Sequence, residues 1–122
     1  MHFALVCEET VEINKEKEAT KFLKNLLKRE KTDFAIIDIW AVLYCLGEER
    51  WLLYLLEKID SSKSSERCEV ANCLYGIVDE ENKEQIKTIL QKRREIEKSE
   101  EVIESIEEVL NIIKKDYNKK GM

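Results

Sequence analysis

The sequence predicts an all-α protein, and three observations carry that prediction. Apolar residues recur at spacings of three and four along most of the chain; proline is absent and glycine occurs three times in 122 residues; and the composition, 43% apolar and 39% charged, is rich in the helix formers Leu, Ile, Glu and Lys. One domain spanning residues 1–122 is expected, because a second core would need roughly another hundred residues. The periodicity resolves into about five to seven helices.

The first thirteen residues read two ways. Phe3, Cys7 and Val11 share a helical face, while Phe3-Ala4-Leu5-Val6 would equally suit a short extended piece. From Asn14 the helical signal clears, with Ala19, Phe22, Leu23, Leu26 and Leu27 on one side and Lys and Glu on the other. Lys31-Thr32-Asp33 interrupts it, and the Asp33 carboxylate is placed to accept from free backbone N–H groups at the start of the next helix.

That second helix, Phe34 to Leu46, is apolar nearly all round, with Asp38 its only charge. Such a helix must be covered on several sides. Asp38 there is costly to bury, so it is expected at an exposed groove or paired. Gly47 ends the helix, since glycine tolerates the left-handed conformation that closes one. A third helix from Glu49 to Ile59 carries Trp51, Leu52, Leu55, Leu56 and Ile59 along one stripe; Trp40 and Trp51 both occupy apolar phases and are assigned to packing.

Asp60-Ser61-Ser62-Lys63-Ser64-Ser65 is a low-complexity run, expected as an exposed, mobile loop with capping serines at its end. The fourth helix spans Glu66 to Val78, with Val70, Ala71, Leu74, Ile77 and Val78 inward. Between Asn82 and Tyr117 lie two stripes: Ile86, Ile89, Leu90 and Ile96, then Val102, Ile103, Ile106, Val109, Leu110 and Ile113. Ile89, Ile96, Ile103 and Leu110 also make a heptad that would suit one long, self-associating helix and hence a homodimer. Two helices are preferred, because Lys92 and Ser99 spoil the companion positions and Ser99-Glu100-Glu101 has the chemistry of a helix start. Residues 118–122 are expected to fray.

Charge and composition narrow the function classes. The net charge is −5, from 26 carboxylates against 21 basic side chains, which disfavours nucleic acid and favours a basic protein partner. Lys92-Arg93-Arg94 is the one basic cluster and reads as surface pairing or a partner contact. Apolar runs are far short of the roughly 20 residues that span a bilayer, so no membrane association is expected. The start of the chain lacks a basic leader and meets Glu8-Glu9 at once, which leads to a cytoplasmic expectation.

No residue set for catalysis is visible. His2 is the only histidine and stands beside Met1, where an acid–base group is hard to hold rigid. Cys7, Cys45, Cys68 and Cys73 lack zinc-knuckle spacing and read as small buried thiols. Glu101, Glu104 and Glu108 share a helical face, but a di-metal bundle site also needs Glu-x-x-His pairs, which are missing. With glycine only at positions 47, 76 and 121 there is no phosphate loop. The expectation is therefore a non-enzyme, with no catalytic residue, metal or cofactor.

The last four helices show a rough internal repeat. Leu52, Leu55 and Leu56 align with Ile86, Ile89 and Leu90 at an offset of 34, and Val70, Leu74 and Ile77 with Ile106, Leu110 and Ile113 at an offset of 36. Val70-Ala71-Asn72-Cys73-Leu74-Tyr75-Gly76-Ile77 resembles the second helix of a HEAT-like repeat, and Trp40 to Gly47 looks like a weaker copy. The chain departs from the pattern in lacking proline in any first helix, and its counterpart of the usual arginine near the second helix is Arg67 alone. The resemblance implies a short right-handed stack of helical hairpins whose second helices line one binding face. It would set the turns Glu48-Glu49 and Asp79-Glu80-Glu81 along one acidic edge, joined by Glu100 and Glu104, with Asp38 in the concave face. Small acidic proteins of this class are similar to bacterial immunity proteins that neutralise contact-dependent inhibition toxins. The expected function is stoichiometric inhibition of a basic toxin, such as a nuclease domain, with an adaptor, assembly factor or self-associating structural protein as alternatives.

Overall fold

A computed structural model describes residues 13–30 and 32–120. Among them are six α-helices and no strand: α1 (Ile13–Arg29), α2 (Asp33–Cys45), α3 (Arg50–Lys58), α4 (Ser64–Ile77), α5 (Lys83–Ile96) and α6 (Glu100–Lys120). The protein is all-α, and the element order is compatible with a helical repeat. The chain divides into two compact units, with the division inside α3 between Leu55 and Leu56. The two readings of residues 1–13 fall almost wholly outside the described residues.

In the first unit α1 packs on α2. Ile39, Leu43 and Trp51 form a buried cluster, flanked by the half-buried Leu23, Leu26, Leu27, Trp40 and Tyr44. Phe22 does not join it: it lies at the margin of the α1 stripe and is 61% exposed. Helix α2 is buried on several sides, at Ile37, Ile39, Ala41, Val42 and Leu43, as its apolar character nearly all round requires.

The ends of α2 follow different rules. At its start the expected Asp33 cap is replaced by Thr32 in an extended conformation without a side-chain cap bond, and Asp33 is the first helical residue. Its charge there still favours the positive end of the helix dipole. At the other end Gly47 has φ +106°, the Gly47 N–H donates to Tyr44 O at 3.0 Å and the Glu48 N–H to Leu43 O at 3.2 Å. These two bonds make a Schellman closure, which only a residue free to adopt positive φ completes without strain.

In the second unit α6 packs against both α4 and α5. Its buried residues, Val102, Ile106, Val109 and Ile113, follow a 4-3-4 spacing that keeps them on one side of the helix. They belong to a core with Val70, Ala71, Leu74 and Ile77 from α4 and Ile86 and Leu90 from α5. The long-helix alternative is overturned, since Glu97, Lys98 and Ser99 separate α5 from α6. Glu97 is extended (φ −74°, ψ 133°), and the Val102 N–H approaches Ser99 Oγ at 3.5 Å. Ile96, expected inward, ends α5 at the edge of its stripe and is 63% exposed. Helix α6 runs to Lys120, beyond the expected end, because no helix breaker precedes Gly121.

The serine-rich run is shorter than expected, because α4 begins at Ser64 with Lys63 at its N-cap. Ser64 and Ser65 therefore lie inside the first turn instead of capping it. Ser61 is the serine with a loop-closing role: its hydroxyl donates to the buried Glu66 carboxylate and accepts from the Lys63 N–H at 3.2 Å. No described helix is long and apolar enough to cross a membrane.

Candidate protein-binding surfaces

The first acidic turn belongs to the first unit. Glu48 is half-buried and occupied: Lys24 Nζ donates to its Oε2 at 2.8 Å and Trp51 Nε1 to its Oε1 at 2.7 Å. Burial pushes its pKa up, but the Lys24 and Trp51 donations outweigh that and hold the carboxyl below its ordinary value. Arg50 lies over the Trp51 ring, 4.6 Å from its centroid, and Tyr54 packs against Trp40 and Trp51 at 5.5 and 5.1 Å. Glu48 therefore fixes the α2–α3 turn and orients Trp51, while its neighbour Glu49 is exposed. Asp38 is half-buried in mid-α2.

The second acidic turn also divides its carboxylates between turn-closing and exposed positions. Asp79 Oδ1 accepts from the N–H groups of Glu81 and Asn82, each at 2.9 Å. The buried Asn82 completes the turn: its Oδ1 accepts from the Asp79 N–H at 2.7 Å and its Nδ2 donates to Ile77 O at 3.0 Å. Glu80 pairs with Lys83 at 3.1 Å, and Glu81 is exposed.

On α6, Glu100, Glu101, Glu104 and Glu108 are exposed. At 3.6 residues per turn, Glu100, Glu104 and Glu108 stand opposite the buried Val102–Ile113 stripe. None of these four forms an ion pair with a described residue, whereas Glu107 pairs with Arg94 at 2.9 Å. Of the residues expected on the acidic edge, Glu100 and Glu104 thus share one solvent-facing helix surface, while Glu48 and Asp79 are committed to turns.

Sequence reasoning missed the strongest electrostatic feature. The Glu97 side chain is fully buried; Arg67 Nε and Nη2 donate to its two oxygens at 2.7 and 2.8 Å, and Arg93 Nε donates at 2.9 Å. The N–H groups of Lys98 and Ser99 also donate to Oε2, at 3.2 and 3.1 Å. Arg67 Nη1 reaches Ser61 O at 2.7 Å and Arg93 Nη1 reaches Asp60 at 3.2 Å, so one carboxylate secures the loop before α4 and the α5–α6 junction. The Arg67 guanidinium, against the opposing effect of burial, depresses the Glu97 pKa to about 2, and Glu97 in turn raises that of Arg67. The available signals were the i,i+4 spacing of Arg93 and Glu97 and the singular Arg67.

Two further observations concern the thiols and the basic cluster. Cys45 and Cys68 are half-buried and Cys73 is buried, all as free thiols, with Cys68 Sγ 3.2 Å from Ser105 Oγ. A groove of about 670 Å³ runs between α5 and α6. Its rim carries Lys83, Lys87, Arg94 and Lys114, and Leu110 and Ile113 supply apolar lining. The basic cluster is thereby dispersed: Arg93 serves the Glu97 network, Arg94 borders the groove and Lys92 is exposed.

Comparison of the chain with protein-family models, with curated proteins and with solved structures finds no match.

Proposed function

We propose that this protein acts by stoichiometric binding, with the solvent face of α6 docking against a basic protein partner. The observation that supports this reading most is the set of four exposed carboxylates, Glu100, Glu101, Glu104 and Glu108, none paired with a described cation. A carboxylate at a helix start is favourable to the dipole, which accounts for Glu100 and Glu101 but not for Glu104 and Glu108, more than a turn in. A like-charged face of this kind repels itself, and a cationic surface relieves the repulsion while steering association. The sharper form of the proposal is an immunity protein that covers the active or substrate-binding surface of a basic bacterial toxin.

The test is affinity capture of the tagged protein in low salt from cells carrying its native locus, with bound proteins identified by mass spectrometry. The expected result is one basic protein at equal stoichiometry, lost when Glu104→Lys and Glu108→Lys are combined. Capture of the same partner by that variant at unchanged strength would remove the α6 face from the mechanism. An adaptor role is separated from inhibition by assaying the captured partner with and without the protein.

A further inference from the structure

The α5–α6 groove inverts the sign of a chain whose net charge is −5. Lys83, Lys87 and Arg94 descend one side of α5, and Lys114 faces them from α6. Two of the four cations are neutralised internally, Lys83 by Glu80 at 3.1 Å and Arg94 by Glu107 at 2.9 Å. The side chains of Lys87 and Lys114 form no hydrogen bond or ion pair with a described residue. Glu84 borders the same groove, so the rim is cationic without being a uniform polyanion track.

We propose that this groove receives a short, extended acidic peptide segment of a partner protein, with aliphatic side chains against Leu110 and carboxylates on Lys87 and Lys114. The dimensions fit: between Lys83 and Arg94 the helix rises about 16 Å, at about 1.5 Å per residue, which is the length of about five extended residues. A nucleic acid is disfavoured, because its phosphate backbone would leave the apolar lining from Leu110 and Ile113 unused, whereas a peptide with alternating aliphatic side chains covers it. The proposal is separate from the docking role of α6, since it concerns groups of opposite charge and a different ligand.

The experiment uses fluorescence anisotropy of a labelled Glu-Leu-Glu-Leu-Glu peptide with the full chain, at low salt. Saturable binding is expected, weakened at least about tenfold by Lys87→Glu combined with Lys114→Glu, and by changing the peptide's glutamates to glutamines; tenfold corresponds to about 1.4 kcal/mol. Circular dichroism of the variant checks that the substitutions, at half-buried Lys87 and exposed Lys114, leave the fold intact. No saturation at millimolar protein, equal affinity for the glutamine peptide, or unchanged binding by the double variant overturns the proposal. Tighter binding of a single-stranded DNA oligomer of matched charge overturns it in favour of a general polyanion site.

Discussion

Replacing Glu97 with glutamine tests whether one buried carboxylate holds the second unit's junctions together. The substitution keeps the side-chain shape but removes the charge opposite Arg67 and Arg93, whose side chains are only 11% and 15% exposed. Two routes give the magnitude. Breaking one partner out of a buried ion pair costs about 3–5 kcal/mol. A pKa lowered from 4.5 to about 2 corresponds to about 3–4 kcal/mol at about 1.4 kcal/mol per unit. The agreement makes about 3–4 kcal/mol the expected loss at pH 7, a large fraction of the stability of a small domain.

The pH dependence follows from the same shift. The unfolded chain binds the Glu97 proton more readily than the folded one, so the stabilisation is complete above the unfolded value of 4.5 and disappears as pH falls towards about 2. Urea denaturation followed by circular dichroism, at pH 7 and at steps down to pH 3, measures both effects. The wild type should lose stability over that window, and Glu97→Gln should start lower and lose less. A difference below about 1 kcal/mol at pH 7, the range of an exposed pair, or parallel pH profiles for the two proteins, would refute the reasoning.

Three other outcomes are expected. Gly47→Ala should destabilise by about 1–2 kcal/mol purely through the backbone, because a Cβ at Gly47 would meet nothing within 4 Å while φ stays at +106°; thermal unfolding measures it. Asn82→Ala should cost about 1–3 kcal/mol by leaving the Asp79 N–H and Ile77 carbonyl without this partner, read by urea titration. Glu104→Lys with Glu108→Lys should shift stability by less than about 0.5 kcal/mol per site, yet slow association with a basic partner at low salt, read by stopped-flow or surface-based kinetics.

The helices were legible because their information is local. Gly47 and Ser99 mark boundaries by their own conformational and capping chemistry, and the Val102–Ile113 stripe fixes the buried face of α6 from its spacing alone. Errors arose at the margins of stripes, where Phe22 and Ile96 share a helical side with core residues but lie too far round to be covered. They also arose at caps, since Thr32 and Lys63 begin helices through backbone conformation without any side-chain cap bond.

The acidic positions show why a site is harder to read than a fold. Charge is visible in sequence, but commitment is not: Glu48 and Glu49 are adjacent and chemically alike, yet one holds Lys24 and Trp51 while the other faces solvent. The same separation divides Asp79, whose oxygen closes a turn, from Glu81, and divides Glu107, paired with Arg94, from Glu108. Glu97 is the extreme case, a carboxylate whose thirty-residue reach to Arg67 no local pattern encodes. Once such residues are set aside, four exposed carboxylates without a described cationic partner stand together on α6, and reversing Glu104 and Glu108 is the perturbation that tests the proposed binding role apart from folding.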